Sequence, residues 1–265
     1  MKHTKLSLVV AAIFLTAACE GGVTDLPQSA VTPAADEQQL TPDAGTLAAA
    51  LLPDLVSGVP SDLAIRGKGS SPRIYFTNKI ANLGVGRFQI SPVHEGATTV
   101  AYQQLLDASD AVVSEFPVST YEFHPDHGHW HIDAVAEYTL RSGAVDGPII
   151  SQATKVTFCL IDVERLSKRA GSRHYGSCNA ALQGITNGWA DVYHSGLPGQ
   201  SLPLSGAPAG VYYLVTLTDP LNRFTEADDF NNQAWVSFQL TYVSGQARFT
   251  LLDHSPCSGR LCAGA

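Results

Sequence analysis

From His127 to Leu140 the chain alternates. Positions 127, 129, 131 and 133 carry His, His, His and Asp, while 130, 132, 134, 136, 138 and 140 carry Trp, Ile, Ala, Ala, Tyr and Leu. Successive side chains of a strand point to opposite faces, so this pattern predicts a strand with an apolar inner face. His127, His129 and His131 then share the other face, with His124 just upstream. In a fully extended strand the first and third α-carbons would stand roughly 13 Å apart. Imidazole nitrogens must come to about 2 Å from a copper or zinc ion. All three can reach one metal only if the backbone bends, and Gly128 permits a bend at little steric cost. Imidazole suits copper, zinc, iron and nickel, so the residues alone do not choose the metal.

The rest of the chain fits an all-β fold. Runs of Val, Thr, Tyr and Phe recur, broken by Gly, Pro, Asn and Asp. The strands expected are 73–81, 87–90, 100–105, 112–116, 129–141, 152–160, 211–218, 235–243 and 248–252. Their spacing and turn chemistry predict an antiparallel β-sandwich with long irregular loops. The segment 163–209 shows no periodicity and is read as a functional irregular stretch; Tyr193 lies within it.

Residues 1–19 read as an export signal. Lys2 and Lys5 form a positive start, Leu6 to Leu15 is apolar, and Thr16-Ala-Ala-Cys19 follows. The apolar run is shorter than the ~20 residues of a membrane span. Its end resembles a bacterial lipoprotein box, which implies a lipid anchor at Cys19, an exported protein of the bacterial cell envelope and no other attachment to a membrane. Without lipidation the chain would be secreted. Residues 20–52, rich in Gly, Ala, Pro, Thr, Asp and Gln, read as a disordered tether, with a possible helical turn at Leu47–Leu52. Residues 53–265 form the folded β domain.

Charge excludes one class of partner. The chain has 24 acidic against 16 basic residues, and two of the basic ones leave with the signal. Nucleic-acid phosphates demand basic patches, so no nucleic-acid partner is expected; cationic substrates are compatible with this surface. Apart from Cys19, four cysteines remain, and an exported chain is expected to pair them. Cys159, Cys178, Cys257 and Cys262 allow three pairings.

Several segments carry a resemblance. Phe123-His-Pro-Asp-His-Gly-His-Trp-His131 is similar to the copper-binding segment of the lysyl oxidase family. Thr154-Lys-Val-Thr-Phe-Cys-Leu-Ile-Asp162 and Gln183-Gly-Ile-Thr-Asn-Gly-Trp-Ala-Asp-Val-Tyr193 resemble two further segments of that family. Pro208-Ala-Gly-Val-Tyr212 and Glu226-Ala-Asp-Asp-Phe-Asn-Asn232 follow in the same order.

The resemblance implies a copper-dependent amine oxidase with Cu(2+) held by His127, His129 and His131. It implies that Lys155 and Tyr193 are cross-linked into a quinone cofactor, lysine tyrosylquinone. The expected substrates are molecular oxygen and a primary amine or peptidyl lysine; the products are an aldehyde, hydrogen peroxide and ammonia. By pattern alone Lys155 falls on the polar face of its strand, opposite Val156, Phe158 and Leu160, and Tyr193 is a loop tyrosine. The family's histidine before the cross-linking lysine is Thr154 here. Asp133, His124 and His194 are candidates for the catalytic base by sequence proximity. In animal members the position of Cys178 pairs with a cysteine in the histidine segment; here that position is Asp126, so Cys159 is the nearest partner for Cys178, leaving Cys257 with Cys262.

A second reading rests on another likeness. Glu226–Asn232, Pro53-Asp-Leu-Val and Ile80-Ala-Asn-Leu-Gly resemble elements of bacterial Ig-like adhesion modules. They imply a non-catalytic, metal-binding surface module. The acidic run 226–232 offers oxygen ligands suited to calcium, but an Asx-rich turn before the strand at Trp235 is preferred.

Overall fold

The computed structural model describes residues 42–67, 71–124 and 128–262, without the side chains of residues 124 and 154–157. The expected signal, and the tether up to residue 41, lie outside the described residues. The chain forms a short helix α1 (Ala44–Ala49), then β1 (Leu55–Ser57), β2 (Ser61–Arg66), β3 (Arg73–Asn82), β4 (Phe88–Glu95), β5 (Thr98–Leu106), β6 (Val112–His124), β7 (His129–Ser142) and β8 (Ile149–Phe158). Four short strands follow: β9 (Glu164–Arg165), β10 (Gln183–Ile185), β11 (Trp189–Tyr193) and β12 (Ser201–Pro203). β13 (Gly210–Thr218), β14 (Gln233–Val243) and β15 (Gln246–His254) complete the strands, and a 3-10 turn spans Gly259–Leu261. No helix among the described residues is long and apolar enough to cross a membrane.

The strands form two antiparallel sheets. The smaller is built on β3, which pairs with β1, β2, β11 and β12, while β9 extends it beyond β11. The larger runs β10-β4-β5-β6-β7-β13-β14-β15, and β8 pairs with β7. Aromatic and branched side chains from both sheets meet between them, as in a sandwich. Phe76 of β3 meets Tyr138 of β7 edge-on, with ring centroids 4.9 Å apart. β3 is buried over its last seven residues because strands flank it and the second sheet covers it.

β7 is the hub of the larger sheet. β6 pairs with its first residues, so that His124 stands opposite His129. β13 pairs with its later residues, and β8 pairs with it from Ile132 to Arg141. The inner face carries Ile132, Ala136, Tyr138 and Leu140, as the alternation predicts. The strand is not regular throughout. Ala134 has φ +55°, and the β7–β8 register shifts on both sides of Ala136. A bulge of this kind adds a residue and changes the phase of the pleat, which is why Val135 is buried beside Ala136.

β7 begins at His129, the expected start of its strand, after Gly128 at φ +70°; His127 lies outside the described residues. Two other sequence expectations need correction. Tyr193 is not on an irregular loop. It ends β11, in register with Asn78 of β3, and 163–209 contains four short strands. Ordered contacts also begin before residue 53, since Leu51 bridges Leu106 and Leu47 packs on the core.

The stretch 163–209 is held by one buried carboxylate. Asp162 Oδ1 accepts the Thr186 N–H at 2.7 Å; its Oδ2 accepts from Thr186 Oγ1 at 2.6 Å and from the N–H groups of His174 and Tyr175 at 2.9 and 3.0 Å. Removing it leaves three backbone donors without their acceptor. Hydrogen bonds to a charged group contribute ~1.5–3 kcal/mol each, and orphaned buried donors add to the loss. Asp162→Ala is therefore expected to destabilise the fold by about 3–5 kcal/mol, in the diagnostic range for a broken buried network. Urea denaturation measures it; a midpoint within error of the wild type would deny Asp162 this role.

Candidate active site

A cavity of about 520 Å³ lies beside the start of β7. His129 and His131 of β7 line one side, and Asp191 and Tyr193 of β11 line another. Phe158, the Cys159–Cys178 disulfide and Ile161 fill the wall between them. Leu197 and Val163, 44% and 42% exposed, also line it and reach solvent. Three contacts bring these pieces together. Phe158 of β8 pairs with Ile132, next to His131. Gln183 Nε2 donates to the Trp130 carbonyl at 3.1 Å while its Oε1 accepts the Leu160 N–H at 3.1 Å. Trp130 stacks on Tyr121 at 5.3 Å, which fixes the adjoining histidine positions of β7.

The two imidazoles converge. His129 Nε2 and His131 Nε2 lie 2.8 Å apart, and His131 is buried. Two nitrogens each ~2 Å from one ion and at right angles to each other would stand about 2.8 Å apart. The spacing therefore fits two adjacent ligands of one metal, with imidazole chemistry suited to copper. His127 lies outside the described residues. Among the described residues, no group of three or more His, Cys, Asp or Glu is placed to hold a metal ion.

Tyr193 sits within the cavity wall. Its hydroxyl donates to the Cys159 carbonyl at 2.5 Å, and its ring meets Phe158 edge-on at 4.1 Å. Burial, followed by the nearby Asp191 carboxyl, raises the phenol well above its ordinary pKa, so it keeps its proton at neutral pH. Lys155 lies on β8, three positions before Phe158. Its side chain is among those not described, so the expected approach to Tyr193 lies outside the described residues.

Asp191 is the residue that sequence reasoning missed. It is 2% exposed and faces the same cavity. Oδ1 accepts the Val192 N–H at 2.8 Å, whereas Oδ2 finds no hydrogen-bond partner among the described residues. Burial pushes the carboxyl up to about 8, with the Tyr193 phenol and the Ile161 and Val192 N–H groups pulling the other way. The available signal was spacing: Asp191 and Tyr193 are two apart on one strand.

Two of the three base candidates do not line this cavity. Asp133 is not among the residues lining the cavity. His194 lines a separate cavity with Lys79 and Glu164, and the His124 side chain is not described. Both expected disulfides are present, Cys159–Cys178 and Cys257–Cys262. The acidic turn has a structural role. Glu226 accepts the Leu55 N–H at 2.5 Å and Asn232 Nδ2 at 2.7 Å, which staples β1 to the approach to β14. Burial pushes Glu226 up to about 8.

An antiparallel β-sandwich with paired imidazoles and a buried tyrosine around one cavity defines the class. The lysyl oxidase family model matches residues 103–250, more than half of the sequence and inclusive of all these cavity positions, so the chain belongs to the lysyl oxidase family. It is 28% identical over 131 residues to lysyl oxidase homolog 1 of Homo sapiens and, equally, of Bos taurus, a match covering 48% of this chain. The matched part spans 22% of the length of these curated relatives.

Proposed function

We propose that this protein is a copper-dependent amine oxidase that converts primary amines, peptidyl lysine among them, to aldehydes with release of hydrogen peroxide and ammonia. The observation that carries the reading is the shared cavity, with the His129–His131 pair on one wall and Tyr193 on another. In this reading His127, His129 and His131 hold Cu(2+), and Lys155 and Tyr193 form lysine tyrosylquinone. Copper and the quinone supply the electron transfer between amine and oxygen.

The chain's own residues supply position and environment. β7 presents its two imidazoles already converged, so little reorganisation is needed on binding an ion. The Cys159 carbonyl and the Phe158 ring orient the Tyr193 ring. Apolar side chains such as Phe158, Ile161 and Val192 exclude water, which favours uncharged amines over ammonium ions. That desolvation, with a nearby cation, is what a neutral, nucleophilic Lys155 requires. An exported protein, anchored at Cys19 or secreted, would meet the oxygen it needs, and two disulfides fit such a compartment.

The test is peroxide release from copper-loaded, aerobically incubated full-length protein on adding benzylamine or a lysine-containing peptide. Amine-dependent peroxide together with visible absorption of a quinone is expected. Copper binding with neither signal would return the protein to the non-catalytic metal-binding module.

A further inference from the structure

Two residues that line the cavity each hold a buried oxygen without a hydrogen-bond partner among the described residues, Asp191 Oδ2 and Gln200 Oε1, and of the two only Asp191 is ionisable. The carboxylates of Asp162, Asp219 and Glu226 all accept hydrogen bonds that brace nearby loops. The Glu164 carboxylate pairs with Lys79 and Arg260 at 2.7 and 2.9 Å. Asp191 differs. The residue lines the cavity, and its buried Oδ2 makes no hydrogen bond among the described residues, although the Tyr193 hydroxyl and the Ile161 N–H lie close enough to the carboxyl to favour its charged form. Leaving a buried acceptor unmade is costly, and such exceptions call for a ligand or a function.

We propose that Asp191 is the subsite for the substrate's nitrogen: it binds a primary ammonium group in the cavity and takes one proton from it. The inference rests on the amine oxidase reading for its biological use, although the binding itself needs neither metal nor cofactor. An amine with an ordinary pKa near ~10.4 reaches the protein as an ammonium ion. The ammonium carries three donors and no acceptor, which complements an oxygen short of a donor. In the transfer one N–H bond breaks, an O–H bond forms on Asp191 Oδ2, and the electron pair stays on nitrogen. The product is a neutral amine and a neutral carboxylic acid, both better suited to an apolar cavity than the ions. The free pair on nitrogen makes the amine nucleophilic beside Tyr193, two residues along the same strand. A carboxyl pushed up to about 8 by burial is matched to this exchange.

The occupant follows from the walls. Phe158, Ile161, Val163, Val192 and Leu197 line the same cavity with apolar surface. The site therefore takes a single ammonium group on an apolar stem, such as an arylalkylamine or the butyl chain of a lysine. A polyamine would bury a second cation without an acidic partner. The charged and titratable groups facing Asp191 are Tyr193 on its own strand, Asp162 after β8 and Tyr138 on β7, with His129 and His131 on the same cavity. Lys155 is on β8.

The probe is cumylamine, a benzylamine whose α-carbon bears two methyl groups and no hydrogen, so it cannot be oxidised to an aldehyde. Cumyl alcohol has the same shape without the charge. Calorimetric titration of full-length protein, purified without added copper, is expected to give cumylamine binding at least tenfold tighter than cumyl alcohol at pH 8.5. Asp191→Asn should weaken cumylamine at least tenfold and leave the alcohol within twofold, which also reports an intact cavity.

Should Asp191→Asn misfold, the wild-type pH profile decides. Below about 8 the carboxyl is protonated and must release that proton to pair with an ammonium ion, so affinity should rise tenfold per pH unit from 6 towards 8. Equal amine binding by the variant, or a flat wild-type amine profile, overturns the proposal. Amine binding without any peroxide would sink the oxidase reading alone. Peroxide formation with an unchanged KM in Asp191→Asn would sink the subsite alone.

Discussion

Tyr193→Phe is expected to reduce amine-dependent peroxide release to background while copper still binds at one ion per chain. Phe keeps the ring and its edge-on contact with Phe158 but removes the oxygen on which ring oxidation depends. The structural cost is small by comparison. The Cys159 carbonyl loses its 2.5 Å donor, and an unmade buried hydrogen bond costs ~1–3 kcal/mol. Set against a typical stability of ~5–15 kcal/mol, that loss leaves the domain folded. The Cys159–Cys178 bridge continues to hold the same wall. A variant that is folded and copper-bound but inactive separates chemistry from scaffold. Retained activity in Tyr193→Phe would exclude Tyr193 as the source of a quinone.

The second large effect concerns the histidines. His129→Ala or His131→Ala should weaken copper by more than the ~10–100-fold that follows loss of a ligand's outer-shell partner, because a ligand itself is removed. His127→Ala should behave alike if it is the third ligand. The 2.8 Å approach of His129 and His131 makes these two interdependent, so the double variant should lose little more than either single one. Competition against a chelator of known affinity measures each value. Stoichiometric copper in the triple alanine variant would place the metal elsewhere.

Much of the fold was legible in the residues. Nine strands were expected from alternation and turn chemistry, and each lies on or within a few residues of an observed one. The strands β1, β2, β9, β10, β11 and β12 were not, for a physical reason. Each is two to six residues long, too short to display a clear period, and β9, β11 and β12 are joined, directly or through β11, to β3 about a hundred residues away. Their order comes from tertiary partners and from the Asp162 network.

The site was legible in part. The His129–His131 pairing followed from spacing of two. The placement of Tyr193 beside those imidazoles needed sheet-to-sheet packing, because β7 and β11 belong to different sheets. Asp191 stood in a quoted motif but gave no sign of burial. A carboxylate in a strand reads as solvent-facing until the partner sheet covers it.

The central claim is that Lys155 and Tyr193 become one cofactor. They are 38 positions apart, yet the fold sets Tyr193 against Phe158, three residues from Lys155 on β8. Three residues of strand span ~10 Å, and the β7–β8 register shift between Ala153 and Val156 breaks the strict alternation that would set Lys155 and Phe158 on opposite faces. The direct measurement is peptide mass spectrometry of protein incubated aerobically with copper, compared with copper-free protein. The account predicts a copper-dependent species in which the peptides carrying Lys155 and Tyr193 are joined, with neither appearing at full yield alone. Two separate, unmodified peptides under both conditions would contradict it.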